Sequence, residues 1–169
     1  ISESHYLLSL IQTNQYDTIY HEHMRYYSLM SLNYPFKKYK LKIFHAKKIP
    51  THGGSIRVYV SKSKNIKESK NLKKLFKMEK KYLNEKTFKD FASKVLSSKI
   101  NLYSLVKKIK LKNKKIFGVG APSRAATLIN YVGLNEEIID CILEVSGSHK
   151  IGRYMPGTNI PIVNEKIVL

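Results

Sequence analysis

Between residues 16 and 28 the chain runs YDTIYHEHMRYYS. His21, His23, Glu22, Asp17, Arg25 and four tyrosines share this stretch without a glycine or proline. A solvated loop would favour lysine, serine and glycine, and a buried strand would favour valine and leucine. The composition instead suits proton chemistry. A histidine titrates near neutrality, a neighbouring carboxylate can raise its basicity and fix its tautomer, and a tyrosine can donate a hydrogen bond to a developing oxyanion. The residues alone leave a hydrogen-bonded aromatic cluster equally open. In an extended segment His21 and His23 would point the same way, but two ligands are too few for a metal. His52 would have to be the third, and the spacing is not that of two histidines a helical turn apart, so no metal site is expected.

Two glycine-containing stretches are the other places where chemistry could sit. THGGS sets His52 beside Gly53 and Gly54, which would admit a substrate or form a plain turn. GVGAPS, from Gly118 to Ser123, follows an apolar run and opens a helical pattern, the context in which glycines bring backbone N–H groups to a phosphate. Its third glycine position is Ser123, so the match to a dinucleotide fingerprint is partial. A structural turn and an anion site at Gly118, Gly120, Ser123 and Arg124 both remain open.

The elements that must carry these groups follow from periodicity. Residues 3–11 fit a helix end or a short strand, YDTIYHEH is expected to be extended, and Arg25–Leu32 to be helical with Pro35 as its stop. KLKIFHAKKI alternates Leu41, Ile43 and His45, and SIRVYVSK alternates Ile56, Val58 and Val60; with PTHGG between them, 41–61 should be an antiparallel hairpin. Residues 61–86 look like a lysine-rich connector containing an amphipathic piece around Leu72, Leu75, Phe76 and Met78. From Thr87, paired with Asp90 in capping-box spacing, a helix of about 20 residues should run with Phe88, Phe91, Val95, Leu102, Leu105, Val106 and Ile109 on one face. IFGVG, a helix carrying Ala125, Leu128, Ile129 and Val132, and IIDCILE then form a βαβ unit.

The 169 residues allow one domain or two small ones, and 43% apolar with 25% charged marks a globular chain. Cys141 is the only cysteine, so neither an internal disulfide nor a cysteine-rich zinc cluster is available, and a cytoplasmic location is expected. No membrane span or signal peptide is evident, and the absence of an initial methionine suggests a piece of a longer protein. The net charge of +19 is regional: from Lys37 to Lys115 there are 25 lysines and Arg57 against four acids, which leaves the remainder slightly acidic. Nearly pure lysine suits a solvated face better than specific phosphate or base recognition, which favours arginine's planar fork. A nucleic-acid partner is therefore not expected.

In the order YDTIYHEHMRYYS, HGGSIRVYV, GVGAPSRAATLINYVG and KIGRYMPGTNIPI, the chain resembles the S-adenosylmethionine-dependent C-methyltransferases of nucleotide-linked deoxysugars, of the sugar 3-C-methyltransferase type. The resemblance covers nearly the whole chain. It implies the end of a Rossmann-like methyltransferase sheet, the antiparallel hairpin, followed by a second Rossmann-like α/β domain. Residues 1–75 would close the methyl-transfer domain, and residues 76–169 would be a linker helix and an incomplete C-terminal domain. It further implies His23 as general base, Glu22 as its tuning partner and Tyr20 at the ketone oxygen, matching the family's Tyr-x-Glu-His pattern. His21, His52, Arg57 and Lys150 would line the cleft for a nucleotide-linked sugar substrate. Most of the S-adenosylmethionine site would lie outside this chain, zinc would belong to a separate N-terminal domain, and GVGAP would be a C-terminal-domain motif. The chain departs from the family at Ala125, Ala126, Glu144 and Gly147 while keeping Lys150 and Gly152. The competing expectations are a noncatalytic basic module that binds RNA or another polyanion through residues 37–115, and a nucleotide-binding subunit that uses Gly118 to Arg124.

Overall fold

The computed structural model describes residues 1–63 and 65–167. The fold is α/β, with one antiparallel and one parallel three-stranded sheet. The chain forms two compact units: Ile1–Tyr16 with His23–Lys94, and Asp17–Glu22 with the chain from Val95 onward.

In the first unit, β1 (Ser2–His5), β2 (Lys42–Ile49) and β3 (Ser55–Ser61) form a sheet of order β1-β3-β2. The expected hairpin is present as β2 and β3, and the ambiguous N-terminal stretch is both things at once: strand β1, then helix α1 (Leu7–Gln12). Alternation buries Ile56 and Val58 on β3. On β2 the register shifts between Ile43 and His45, so Ala46 rather than His45 joins Ile43 in the core. Helices α2 (Leu29–Lys38) and α3 (Lys70–Tyr82) complete this core with Leu29, Leu32, Leu72 and Leu75. The expected connector is thus largely a core helix, capped by Ser69, whose Oγ accepts from the Leu72 N–H at 3.1 Å.

Pro35 does not stop α2 but lies inside it. The helix tolerates the lost N–H because its start is fully satisfied. The Glu79 carboxylate accepts from the Leu29 N–H at 2.6 Å and the Met30 N–H at 3.0 Å, and Ser28 Oγ accepts from the Ser31 N–H at 3.0 Å. Ser31 Oγ returns a bond to the Ser28 N–H at 2.9 Å. All four donors that a helix start normally leaves unpaired therefore have acceptors. Glu79 itself is completely buried.

Helix α4 runs from Glu85 to Lys110, and its start is capped by Asn84 Oδ1, which accepts from the Thr87 N–H at 3.0 Å, rather than by Thr87. Of the face expected to be apolar and covered, only Val106 is buried, while Phe88 and Leu105 stay exposed.

In the second unit, β4 (Phe117–Val119), α5 (Ser123–Val132) and β5 (Cys141–Glu144) form the expected βαβ unit, and β6 (Ile162–Asn164) adds a third parallel strand in the order β4-β5-β6. Ile129, Val132, Ile142, Met155, Ile160 and Ile162 make its core. Gly133, at φ +85°, closes α5 in the left-handed conformation. Among the described residues no helix is long and apolar enough to cross a membrane.

Candidate functional site

The stretch expected to be extended is instead a 3-10 turn at Tyr16–Thr18 followed by bends and turns. Its residues have too little local pairing to form a strand, and side chains from α5 fix them. Arg124 Nε donates to Asp17 Oδ2 at 2.7 Å, with a second bond from the same guanidinium to the same oxygen. Thr127 Oγ1, one turn along α5, donates to the Ile19 carbonyl at 3.1 Å. Tyr20 and Glu22 therefore belong to the second unit, and the chain enters the first at His23.

Within the second unit the Tyr20 hydroxyl donates to Glu22 Oε2 at 3.3 Å, and His21 Nε2 stands 3.9 Å from Glu22 Oε1. Desolvation, reinforced by the Glu22 carboxylate, pushes the Tyr20 phenol above its ordinary value. Tyr20 and His21 line one side of a cavity of about 460 Å³. Ser123, Ala126, Thr127 and Asn130 of α5 form the facing stripe, and Pro156 with Gly157 closes a third side. Asn130 Nδ2 donates to the Pro156 carbonyl at 2.8 Å and so joins two of these walls. Gly157 is required there, because a Cβ would collide with the Asn130 amide.

In the first unit His23 packs beside His5, with ring centroids 5.4 Å apart, and beside Tyr26 at 6.4 Å. His5 ends β1, and its Nε2 lies 3.0 Å from the His52 carbonyl. A carbonyl only accepts, so His5 carries its proton on Nε2. Burial lowers the His5 pKa and favours its neutral form. Periodicity could not find His5 because it meets His23 through a ring contact between residues eighteen apart in the chain. Of the other residues expected at a substrate cleft, two lie in this unit. Arg57 pairs with Glu3, its cross-strand neighbour, at 2.7 Å, and this pairing lowers the Glu3 pKa. His52 sits at φ +50° with an exposed side chain. The two glycines after it are approached from within the chain: a Cβ on Gly53 would strike the Gln15 amide, and one on Gly54 would meet Ser9 Cβ at 2.6 Å.

At the glycine turn of the second unit, a Cβ on Gly118 would strike Ile142, while Gly120 takes φ +79°. The Ala121 N–H donates to Glu144 Oε2 at 2.9 Å, and Lys150 Nζ donates to the Ala121 carbonyl at 2.9 Å. Ser123 is the first residue of α5. A second cavity, of about 190 Å³, is lined by Ser123, Lys150, Arg153 and Tyr154 among others. Arg153 does not stand out by sequence pattern, because the fold of 145–161 is what brings it to this cavity. Among the described residues no cluster of three His, Cys, Asp or Glu side chains could hold a metal ion.

Residues 50–169 match the family described as C-methyltransferase C-terminal domain. The chain is also 30% identical over 160 residues to C-methyltransferase NovU of Streptomyces niveus, an alignment covering 93% of this chain and 38% of that protein. Neither finding supports a basic polyanion-binding module. This chain belongs to the C-methyltransferase family and carries its C-terminal domain.

Proposed function

We propose that this chain is part of an S-adenosylmethionine-dependent enzyme that methylates a carbon next to the ketone of a nucleotide-linked deoxysugar in the cytoplasm. The boundary expected at 75/76 falls inside α3, whose Glu79 closes the start of α2, so the methyl-transfer part would extend through α3 and the linker helix α4 would lead into the C-terminal domain. His23 removes the proton α to the ketone, Glu22 orients and tunes the proton-transfer group, and Tyr20 hydrogen-bonds the oxygen on which enolate charge develops. Lys150, Arg57, His21 and His52 contribute to the substrate cleft. The observation that carries the reading is the Tyr20–Glu22 hydrogen bond, which sets a phenol and a carboxylate together immediately before the histidine.

S-adenosylmethionine would supply an electrophilic methyl group to the enolate carbon. The glycine turn of this chain offers that donor no free carboxylate: Glu144, at the end of β5 where a ribose-binding acid would stand, already accepts the Ala121 N–H at 2.9 Å and lies 3.9 Å from Lys150 Nζ. The proposed contribution of these residues is therefore substrate binding and proton transfer. The test is His23→Ala in the full-length enzyme, following loss of the α-proton of the keto sugar into D2O as well as methyl transfer. A loss of about 100- to 10,000-fold in both is expected. Exchange that survives within a few fold would remove His23 as the base.

A further inference from the structure

Arg124 stands where an anion-binding residue would be expected, in the first turn of α5, yet the anion it meets is Asp17 of the same chain. We propose that Arg124 is a positioning residue: with Thr127 it fixes residues 17–22 against α5 and so sets the place of Tyr20 and Glu22. The proposal rests on the roles given above to those two residues.

Three observations carry it. First, beyond the 3-10 turn at Tyr16–Thr18 the segment continues as bends and turns rather than as a helix or strand, with a bond from the Tyr20 N–H to the Thr18 carbonyl at 3.1 Å. Second, two side chains from successive turns of one helix grip it two residues apart. Arg124 holds the Asp17 carboxylate, and Thr127 holds the Ile19 carbonyl, on the residue before Tyr20. Third, α5 is itself anchored, with Ile129 and Val132 in the core and Asn130 tied to Pro156. A rigid helix thus presents both grips, and Tyr20 emerges from them as a wall of the 460 Å³ cavity. That volume is in the range of small-molecule sites. Small misplacements of a group acting on a reacting centre cost large factors in rate, so loss of the grip should appear in turnover before it appears in folding.

The test uses the full-length enzyme with Arg124→Ala, Arg124→Lys, Asp17→Asn and the Asp17→Asn/Arg124→Ala double variant, measuring kcat, KM for each substrate and the melting temperature. The expected result is a fall in kcat of about 10- to 100-fold for Arg124→Ala and for Asp17→Asn, with KM for the methyl donor unchanged. The double variant should lose no more than either single one, and Arg124→Lys should recover part of the loss. An Arg124 that binds substrate directly would raise KM for the sugar nucleotide and leave Asp17→Asn at wild-type turnover, which overturns the proposal. So would losses that multiply in the double variant. Tyr20→Phe at full activity overturns the reading beneath the proposal; Tyr20→Phe inactive with Arg124→Ala at wild-type kcat overturns the clamp alone.

Discussion

The two halves of YDTIYHEHMRYYS are held by opposite means. Asp17–Glu22 is fixed by side chains from α5, and the main grip, Arg124 on Asp17, leaves the arginine 47% exposed and the aspartate 22% exposed. The half from His23 onward is fixed through backbone groups. Leu7 donates its N–H to the Tyr27 carbonyl at 2.9 Å, and the start of α2 just beyond is closed by Ser28, Ser31 and the buried Glu79. A solvated ion pair contributes little to stability while still specifying a position, whereas a buried carboxylate meeting two N–H groups is costly to lose. The half with Tyr20 and Glu22 should therefore be sensitive in rate, and the half with His23 sensitive in folding.

The sharpest way to break this contrast is Glu79→Ala. It would leave the Leu29 and Met30 N–H groups buried or half-buried without an acceptor and open a space beside Tyr6, which is itself fully buried. A loss of about 3 kcal/mol is expected in urea unfolding followed by circular dichroism. A loss under about 1 kcal/mol would mean that α2 is held by Leu29 and Leu32 alone.

The same contrast explains what could be foreseen from sequence. The β2–β3 hairpin and the β4–α5–β5 unit were legible because alternation, turn residues and helical period are local signals, all contained in 41–61 and 116–144. The residue types at Tyr20, Glu22 and His23 were legible. What supports them was not, since Glu79 lies fifty residues from Leu29 and Arg124 lies 107 from Asp17. Pro35 misled for the same reason: its intrinsic cost is real, but the Glu79 carboxylate and the buried leucines of α3, outside any short window, help to offset it. Ser9 and Gln15 likewise fill the space at Gly54 and Gly53 that sequence alone left open to a substrate.

His5 offers a subtler test on the His23 side. Burial lowers its pKa in the folded chain below the ordinary 6.5; the hydrogen bond to the His52 carbonyl opposes this, and the nearby His23 acts with the burial. The unfolded chain therefore binds this proton first as pH falls, and stability rises with pH through that window. The contribution is complete above about 6.5 and is lost as pH drops through the folded value. His5→Phe should flatten the dependence of melting temperature on pH between about 6.5 and that lower value. An unchanged slope would assign the titration to another group.

The smallest effect belongs to the Asp17–Arg124 pair, and its smallness is the point. An exposed ion pair is worth at most about 1 kcal/mol, because solvent screens it and two side chains must be ordered to form it. Arg124→Ala should therefore lower stability by only about 0.5 kcal/mol, less than a fifth of the Glu79→Ala effect. Raising salt to 1 M, where the screening length falls to about 3 Å, should remove most of even that difference between wild type and variant. A stability loss near that of Glu79→Ala would show that the segment 17–22 is integral to the folding of the second unit, and the contrast between its two modes of attachment would collapse. A small loss accompanied by the large fall in turnover would separate the two roles: the Arg124–Asp17 grip would direct Tyr20 and Glu22 without contributing appreciably to the stability of the fold.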